Sequence, residues 1–248
     1  IAVPILYILF PKISPQIIIS SSLGMIFFNA IINSYNFYNK GKRVPLSLVT
    51  TLGLGMAAGA FSGVKIGEVI TPQNLKVIFS LIVLSVATRL SFSKVAEQQY
   101  LKTWAPDKDP KHIALYFTST LFGGFIAALT GLGGGAVLVP IFLSILKVPF
   151  NWVSFLSNIS MGAVALTSIL LFSMQNQVSA DGIPAYLMLF QINSLNLAII
   201  GALSFGTLLS SKFGVQLSDK MSPKLSKRIF AALLYIVSLK ILIQTLYF

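Results

Sequence analysis

The sequence predicts an all-α polytopic membrane protein built from two homologous halves, and three observations predict it. The chain is 55% hydrophobic and only 10% charged, against about 25% charged residues in an average soluble domain; its mean hydropathy is +0.85. Apolar runs close to the roughly 20 residues needed to cross a bilayer recur along the whole length. They are continuous rather than alternating at period two, which argues against a β-barrel. Finally, the chain repeats itself. "AVPIL" at 2–6 matches "LVPIF" at 138–142, an offset of 136. "GVKIGEVITPQNLKVIF" at 63–79 matches "GVQLSDKMSPKLSKRIF" at 214–230, an offset of 151. Gly63/Gly214, Val64/Val215, Pro72/Pro223, Lys76/Lys227, Ile78/Ile229 and Phe79/Phe230 are identical, and unrelated apolar segments would not share polar and proline positions in this way. The second half carries about 15 extra residues, placed around Gln175–Asn193.

The elements follow in order. "IAVPILYILF" and then Pro11 is too short to span a bilayer. It has neither the basic start nor the cleavage site of a signal peptide, so it reads as the tail of an element. The repeat predicts a glycine-rich turn and a helix upstream of Ile1. Spans are expected at 16–35, 46–64 and 75–92, then 113–130, a glycine break, a short helix at 136–147, and spans at 152–173, at 186–211, long enough to be split in two, and at 228–247. Proline and glycine mark the joins at Pro45, Pro72, Pro149, Gly182 and Pro184. The domains are therefore 1–92, a first membrane repeat without its N-terminal part; 93–112, a polar cytoplasmic linker with Lys94, Lys102, Asp107, Lys108, Asp109 and Lys111; and 113–248, the second repeat.

Charge predicts the topology. The loop 36–45 holds Lys40, Lys42 and Arg43, while its counterpart near 174–184 holds no basic residue. The loop 65–76 holds two lysines, while its counterpart 212–228 holds Lys212, Lys220, Lys224, Lys227 and Arg228. The basic loop thus changes place between the halves. Inverted halves put 36–45, 93–112 and 212–228 on one side, which the positive-inside rule makes cytoplasmic. Inverted repeats are common in secondary transporters, with the substrate site at the repeat interface, and they require an odd number of crossings per half.

Inventory excludes several functions. Cysteine is absent, which removes disulfides, thiolate metal sites and cysteine nucleophiles. The one histidine, His112, belongs to the polar linker. No HExxH, carboxylate pair or intramembrane Ser/His arrangement is present, so no catalytic residue, metal or cofactor is expected and the protein is not read as an enzyme. None of the six acidic residues lies in the middle of a span, which disfavours a cation transporter. The net charge of +12 has two explanations, retained basic loops or an anionic substrate; nucleic acid is not an expected partner, because the lysines lie in short loops between spans. The expected partners are a small anion and the lipid bilayer. The oligomeric state is left open.

Two groups of residues could hold that anion. "TGLGGGAVLVP" runs from Thr130 to Pro140 and places Gly131, Gly133, Gly134 and Gly135 inside an apolar run. Glycine there either lets helices pack closely, the reading given to Gly123 and Gly124, or breaks a helix so that bare amides and a new helix N-terminus face a ligand. The second group lies within spans: Ser20, Ser21, Ser22, Asn29 and Asn33 in the first half, Ser157, Asn158 and Ser160 in the second. Ser21 matches Ser157 and Ser22 matches Asn158 across the repeat. Hydroxyls and amides supply the donors an oxyanion needs, although they also bond between membrane helices with no ligand at all.

"GGFIAALTGLGGGAVLVPIFL" at 123–143, "AVPIL" at 2–6 and the duplicated G-V…P…F ending of each half resemble the sulfite exporter TauE/SafE family, also called the toluene-sulfonate uptake permease family. The resemblance implies a membrane transporter linked to sulfur-containing anions such as sulfite, sulfonates and thiosulfate. The family motif falls on Gly131, Gly133, Gly134, Gly135, Val139 and Pro140, and in the first half on Val3 and Pro4. The expectation is a permease of the prokaryotic inner membrane that works by alternating access. A channel-like anion pore and a non-transporting scaffold subunit are the alternatives.

Overall fold

The computed structural model describes residues 2–10, 13–39, 41–92, 110–131, 133, 138–139, 141–142, 146, 148–175, 188–220 and 223–247. Its helices are α1 (Ala2–Leu9), α2 (Pro15–Asn39), α3 (Leu46–Val69), α4 (Pro72–Phe92), α5 (Pro110–Thr130), α6 (Phe150–Met174), α7 (Leu197–Lys220) and α8 (Pro223–Tyr247). Proline explains where most of them begin. Pro15, Pro72, Pro110 and Pro223 are first helical residues, and Pro45 and Pro149 immediately precede α3 and α6. Proline has no N–H to donate, and a first turn has no intrahelical acceptor for one, so it fits there and nowhere deeper.

Four of these helices are long and apolar enough to cross a membrane, over Pro15–Asn39, Leu46–Val69, His112–Thr130 and Trp152–Met174. Shorter apolar stretches lie in α4, α7 and α8. The chain is therefore an integral membrane protein, mostly helical. One span departs from expectation. The run predicted as a helix over 186–211 contains an antiparallel hairpin, β1 (Gln191–Ile192) and β2 (Leu195–Asn196), and α7 starts only at Leu197. Asn193 turns the chain at φ +52, and the Asn196 side chain caps α7 by accepting the Ile199 N–H at 3.0 Å. Polar residues that serve a turn and a cap were hidden inside an apolar average. His112 stands exposed in the first turn of α5 rather than in the linker. The rest of the linker, 93–109, lies outside the described residues.

Helix α2 lies between two cores. On one side Ile19 and Leu23 join residues of α3, α5 and α6. On the other Ile17 and Ile18 join Val3, Leu6 and Tyr7 of α1, Phe79 and Val83 of α4, Ile199 of α7, and Leu234 and Ile241 of α8. Small residues set the closest contact in the first core. Gly55, Gly59 and Gly63 recur every fourth residue along α3 and face α5. A Cβ at Gly63 would lie 2.6 Å from the Phe125 carbonyl oxygen, and one at Gly55 2.7 Å from that of Phe117. Gly124 of α5 meets the backbone of Met56 in return. This is the small-residue packing by which membrane helices associate without a hydrophobic driving force.

Candidate functional site

Helices α2 and α6, which the sequence repeat expects at matching places, pack against each other antiparallel. The Phe37 and Phe155 rings are 5.6 Å apart, Asn33 Nδ2 donates to Asn158 Oδ1 at 3.4 Å, and Ala30 sits against Gly162. As the number falls on α2 it rises on α6. The order carries the N-terminal part of α2 toward the end of α6, where Gln16 and Ile19 line a small recess with Phe172 and Gln175.

The glycine run meets α2 at this end. Helix α5 stops at Thr130, and Gly131 and Gly133 take φ +66 and +70, the left-handed region that side chains enter at a cost. A Cβ at Gly131 would lie 2.8 Å from Val3 and 3.1 Å from the Ile19 Cα; one at Gly133 would meet the Ile26 side chain at 2.6 Å. The Gly131 N–H donates to the Ala127 carbonyl at 2.8 Å and completes the last turn of α5, so this amide is used by the fold. Its carbonyl accepts the Ser22 hydroxyl at 2.8 Å. Gly134, Gly135 and Pro140 lie outside the described residues. Of the remaining motif, Val3 is buried, Pro4 lies within α1, and Val139 packs half-buried against the first core.

The donors do not form one cluster. Ser20, Ser21 and Ser22 are buried beside the glycines, whereas Ser157 and Asn158 lie by Asn33. Ser21 and Asn33 are twelve residues apart on α2, about 18 Å at 1.5 Å per residue. Several are engaged. Ser20 donates to the carbonyls of Ile17, at 3.0 Å, and Ser194. Thr130 donates to Ile126 at 2.7 Å, Asn158 to Ser154 at 2.7 Å, and Asn29 to Thr207 Oγ1 of α7 at 3.2 Å. By contrast the buried hydroxyls of Ser21, Ser157, Ser160 and Ser168 have no hydrogen-bond partner among the described residues.

Three of the four lie on one helix. Ser157, Ser160 and Ser168 are three and eleven residues apart, one and three turns, and so share one face of α6. Ser21 is at the other end, on α2. An unpartnered buried hydroxyl costs about 1–3 kcal/mol, so four along one helix pair are not neutral to folding. Each can donate one proton to an anion. No described carboxylate stands among them; Glu68 closes one end with Lys65, at 3.0 Å, and Lys42 lies at the other, 5.0 Å over Phe37 and 5.5 Å over Trp152. Among the described residues no group of three His, Cys, Asp or Glu gathers. Ser168 was not singled out from the sequence, although the spacing of serines on one face of 152–173 was a signal that could have found it.

Comparison with known proteins gives the family. The family model described as "Sulfite exporter TauE/SafE" matches residues 1–241. The chain belongs to the TauE/SafE family. Relatives agree with the class. A probable membrane transporter protein of Haemophilus influenzae is 28% identical over 141 residues, 56% of this chain and 50% of the relative. A probable membrane transporter protein of Methanocaldococcus jannaschii is 28% identical over 152 residues, 61% of this chain and 52% of the relative. The chain thus spans about half the length of the curated relatives it matches. No solved structure matches it. The relatives carry the names of transporters, and the glycine run and the hydroxyls of α2 and α6 are the features of this TauE/SafE member's own sequence that bear on such a role.

Proposed function

We propose that this protein is a secondary transporter of small sulfur oxyanions such as sulfite, sulfonates or thiosulfate, working by alternating access in a prokaryotic inner membrane. The observation that carries the reading is the set of unpartnered buried hydroxyls along α2 and α6. Neutral donors suit a weakly basic oxyanion: they hold it without a counter-charge that would trap it. Ser21 and Ser157 are repeat mates, which supports a route with equivalent donors near its two ends. Ser20, Ser22, Asn29, Thr130 and Asn158 flank the route, and each would exchange a present hydrogen bond for one to the anion. The antiparallel run of α2 against α6 supports inverted halves, the arrangement in which rocking one half against the other exposes a site to each side in turn. In this reading Gly131 and Gly133, at positive φ, end α5 against Ser22. The basic loops, 36–45 among them, lie toward the cytoplasm.

The test is a thermal-shift screen of the purified chain against ethanesulfonate, sulfite, thiosulfate and carboxylates of equal charge. A ligand at a hundred times its dissociation constant adds about 2.7 kcal/mol, so sulfur oxyanions should raise the melting temperature and Ser21→Ala should cut the rise to about half or less. Stabilisation by carboxylates alone would refute the substrate class.

A further inference from the structure

We propose that hairpin β1–β2 is a gate over the Ser20–Ser22 end of the route, and that Gln175 and Ser194 are its latch. This rests on the route described above, and the experiment below separates the two.

The hairpin belongs to the stretch in which the second half is longer than the first, so the device has no counterpart in the 36–45 connection. It is folded inward. Ser194, Leu195 and Asn196 are buried, and β2 packs on α2 and α6. A chain of side chains ties it down. Lys65 Nζ donates to both Glu68 carboxylate oxygens, at 3.1 and 3.0 Å. Gln175 Nε2 donates to Glu68 Oε1 at 2.7 Å, and Gln175 Oε1 accepts the Ser194 hydroxyl at 3.0 Å. Asn193 Nδ2 donates to the Ser173 carbonyl at 2.6 Å. A single amide therefore bridges the end of α3 to the hairpin turn, with one of its bonds to a carboxylate and so charge-assisted.

The last link reaches the candidate site. Ser20 donates its hydroxyl to the Ser194 carbonyl. A serine hydroxyl has one proton. While the hairpin is seated, Ser20 shares that proton between the Ile17 and Ser194 carbonyls and has none for an anion; when the hairpin lifts, only the Ile17 carbonyl of its own helix competes with an anion for it. Seating the hairpin and binding an anion at Ser20 exclude each other, so Gln175 and Ser194 are positioning residues that set access and affinity without touching the anion.

The chain has no cysteine, so Ile19→Cys, buried beside Gln175 and not one of the donors, provides a single reporter. Its labelling by a membrane-impermeant maleimide is measured in vesicles of both orientations. Gln175→Ala should raise the rate from the hairpin side about tenfold, the effect of one charge-assisted hydrogen bond, with no change from the opposite side. Ser194→Ala should do the same, and the double variant should add little, since both break one chain. Ethanesulfonate should slow the labelling, at lower concentration in Gln175→Ala than in its parent. Unchanged rates in both single variants, or equal rises from both sides, would overturn the gate. Opening without protection by ethanesulfonate leaves the gate standing and removes the anion reading; protection without opening does the reverse.

Discussion

The two ends of the α2–α6 contact are closed by different means. At the Ser20–Ser22 end the closure is backbone: Ser20 and Ser22 bond to the carbonyls of Ser194 and Gly131, and Gly131 and Gly133 turn at positive φ against α2. At the Asn33–Asn158 end the closure is side chains: an amide pair at 3.4 Å, the Phe37 and Phe155 rings, and Lys42 over Phe37 and Trp152. Side chains can change rotamer and repack, whereas a backbone closure depends on particular dihedral angles. The first end should therefore be intolerant of substitution and move as a unit. The second should be tolerant.

The largest expected effect is at the glycines. Gly131→Val puts a branched side chain at φ +66 and against Val3 and the Ile19 backbone. The left-handed conformation alone costs about 1–2 kcal/mol and overpacking a further 1–3 kcal/mol or so, so the variant should lose transport and melt well below its parent. Gly41, in the loop beside the other end, has φ +77 but nothing within 4 Å of an added Cβ. Gly41→Ala should cost only the conformational share, about 1 kcal/mol. Equal losses at the two glycines would break the comparison.

Next come the unpartnered hydroxyls, which separate function from structure. Ser21→Ala and Ser157→Ala remove buried groups with no partner among the described residues. Stability, read by thermal unfolding in detergent, should be unchanged or rise by about 1 kcal/mol. Uptake of ethanesulfonate should fall about tenfold or more in each, as expected when a charged ligand loses a hydrogen bond. A loss of stability with transport intact would make these serines structural.

The effects at the tolerant end are smaller. Asn33→Ala and Asn158→Ala, measured with the double variant, should show a coupling near or below about 0.5 kcal/mol, because the bond between them is long. Lys42→Ala removes a partly exposed cation from two rings and should cost about 0.5–1 kcal/mol. A larger cost at Lys42 than at Gly131 would invert the picture of a rigid and a yielding end.

Sequence made the fold class legible because apolar length and proline punctuation are local signals: the expected 16–35, 46–64, 75–92 and 152–173 correspond to α2, α3, α4 and α6, each extended by a few residues at one or both ends. The hairpin was not legible. Gln191 to Asn196 sits between apolar stretches, and a window average cannot see a two-residue strand. At the site, residue type was legible and placement was not. Ser21 and Ser157 could be paired by the repeat, but antiparallel packing sets repeat mates apart along the helix instead of side by side. The glycines were legible as a departure from helix, yet not that the Gly131 N–H would be taken by the end of α5. Gln175 and Ser194 gave no signal: an amide beside a predicted loop looks solvated, and a lone serine inside an expected span looks like one that bonds within its own helix.

Counterflow in proteoliposomes tests the central claim most directly. Vesicles loaded with unlabelled ethanesulfonate and diluted into a trace of the labelled compound should accumulate label transiently. The rate should saturate with concentration, and Ser21→Ala combined with Ser157→Ala should abolish it. Flux that rises linearly with concentration and shows no overshoot, or an overshoot that survives the double variant, would contradict an alternating-access route along α2 and α6.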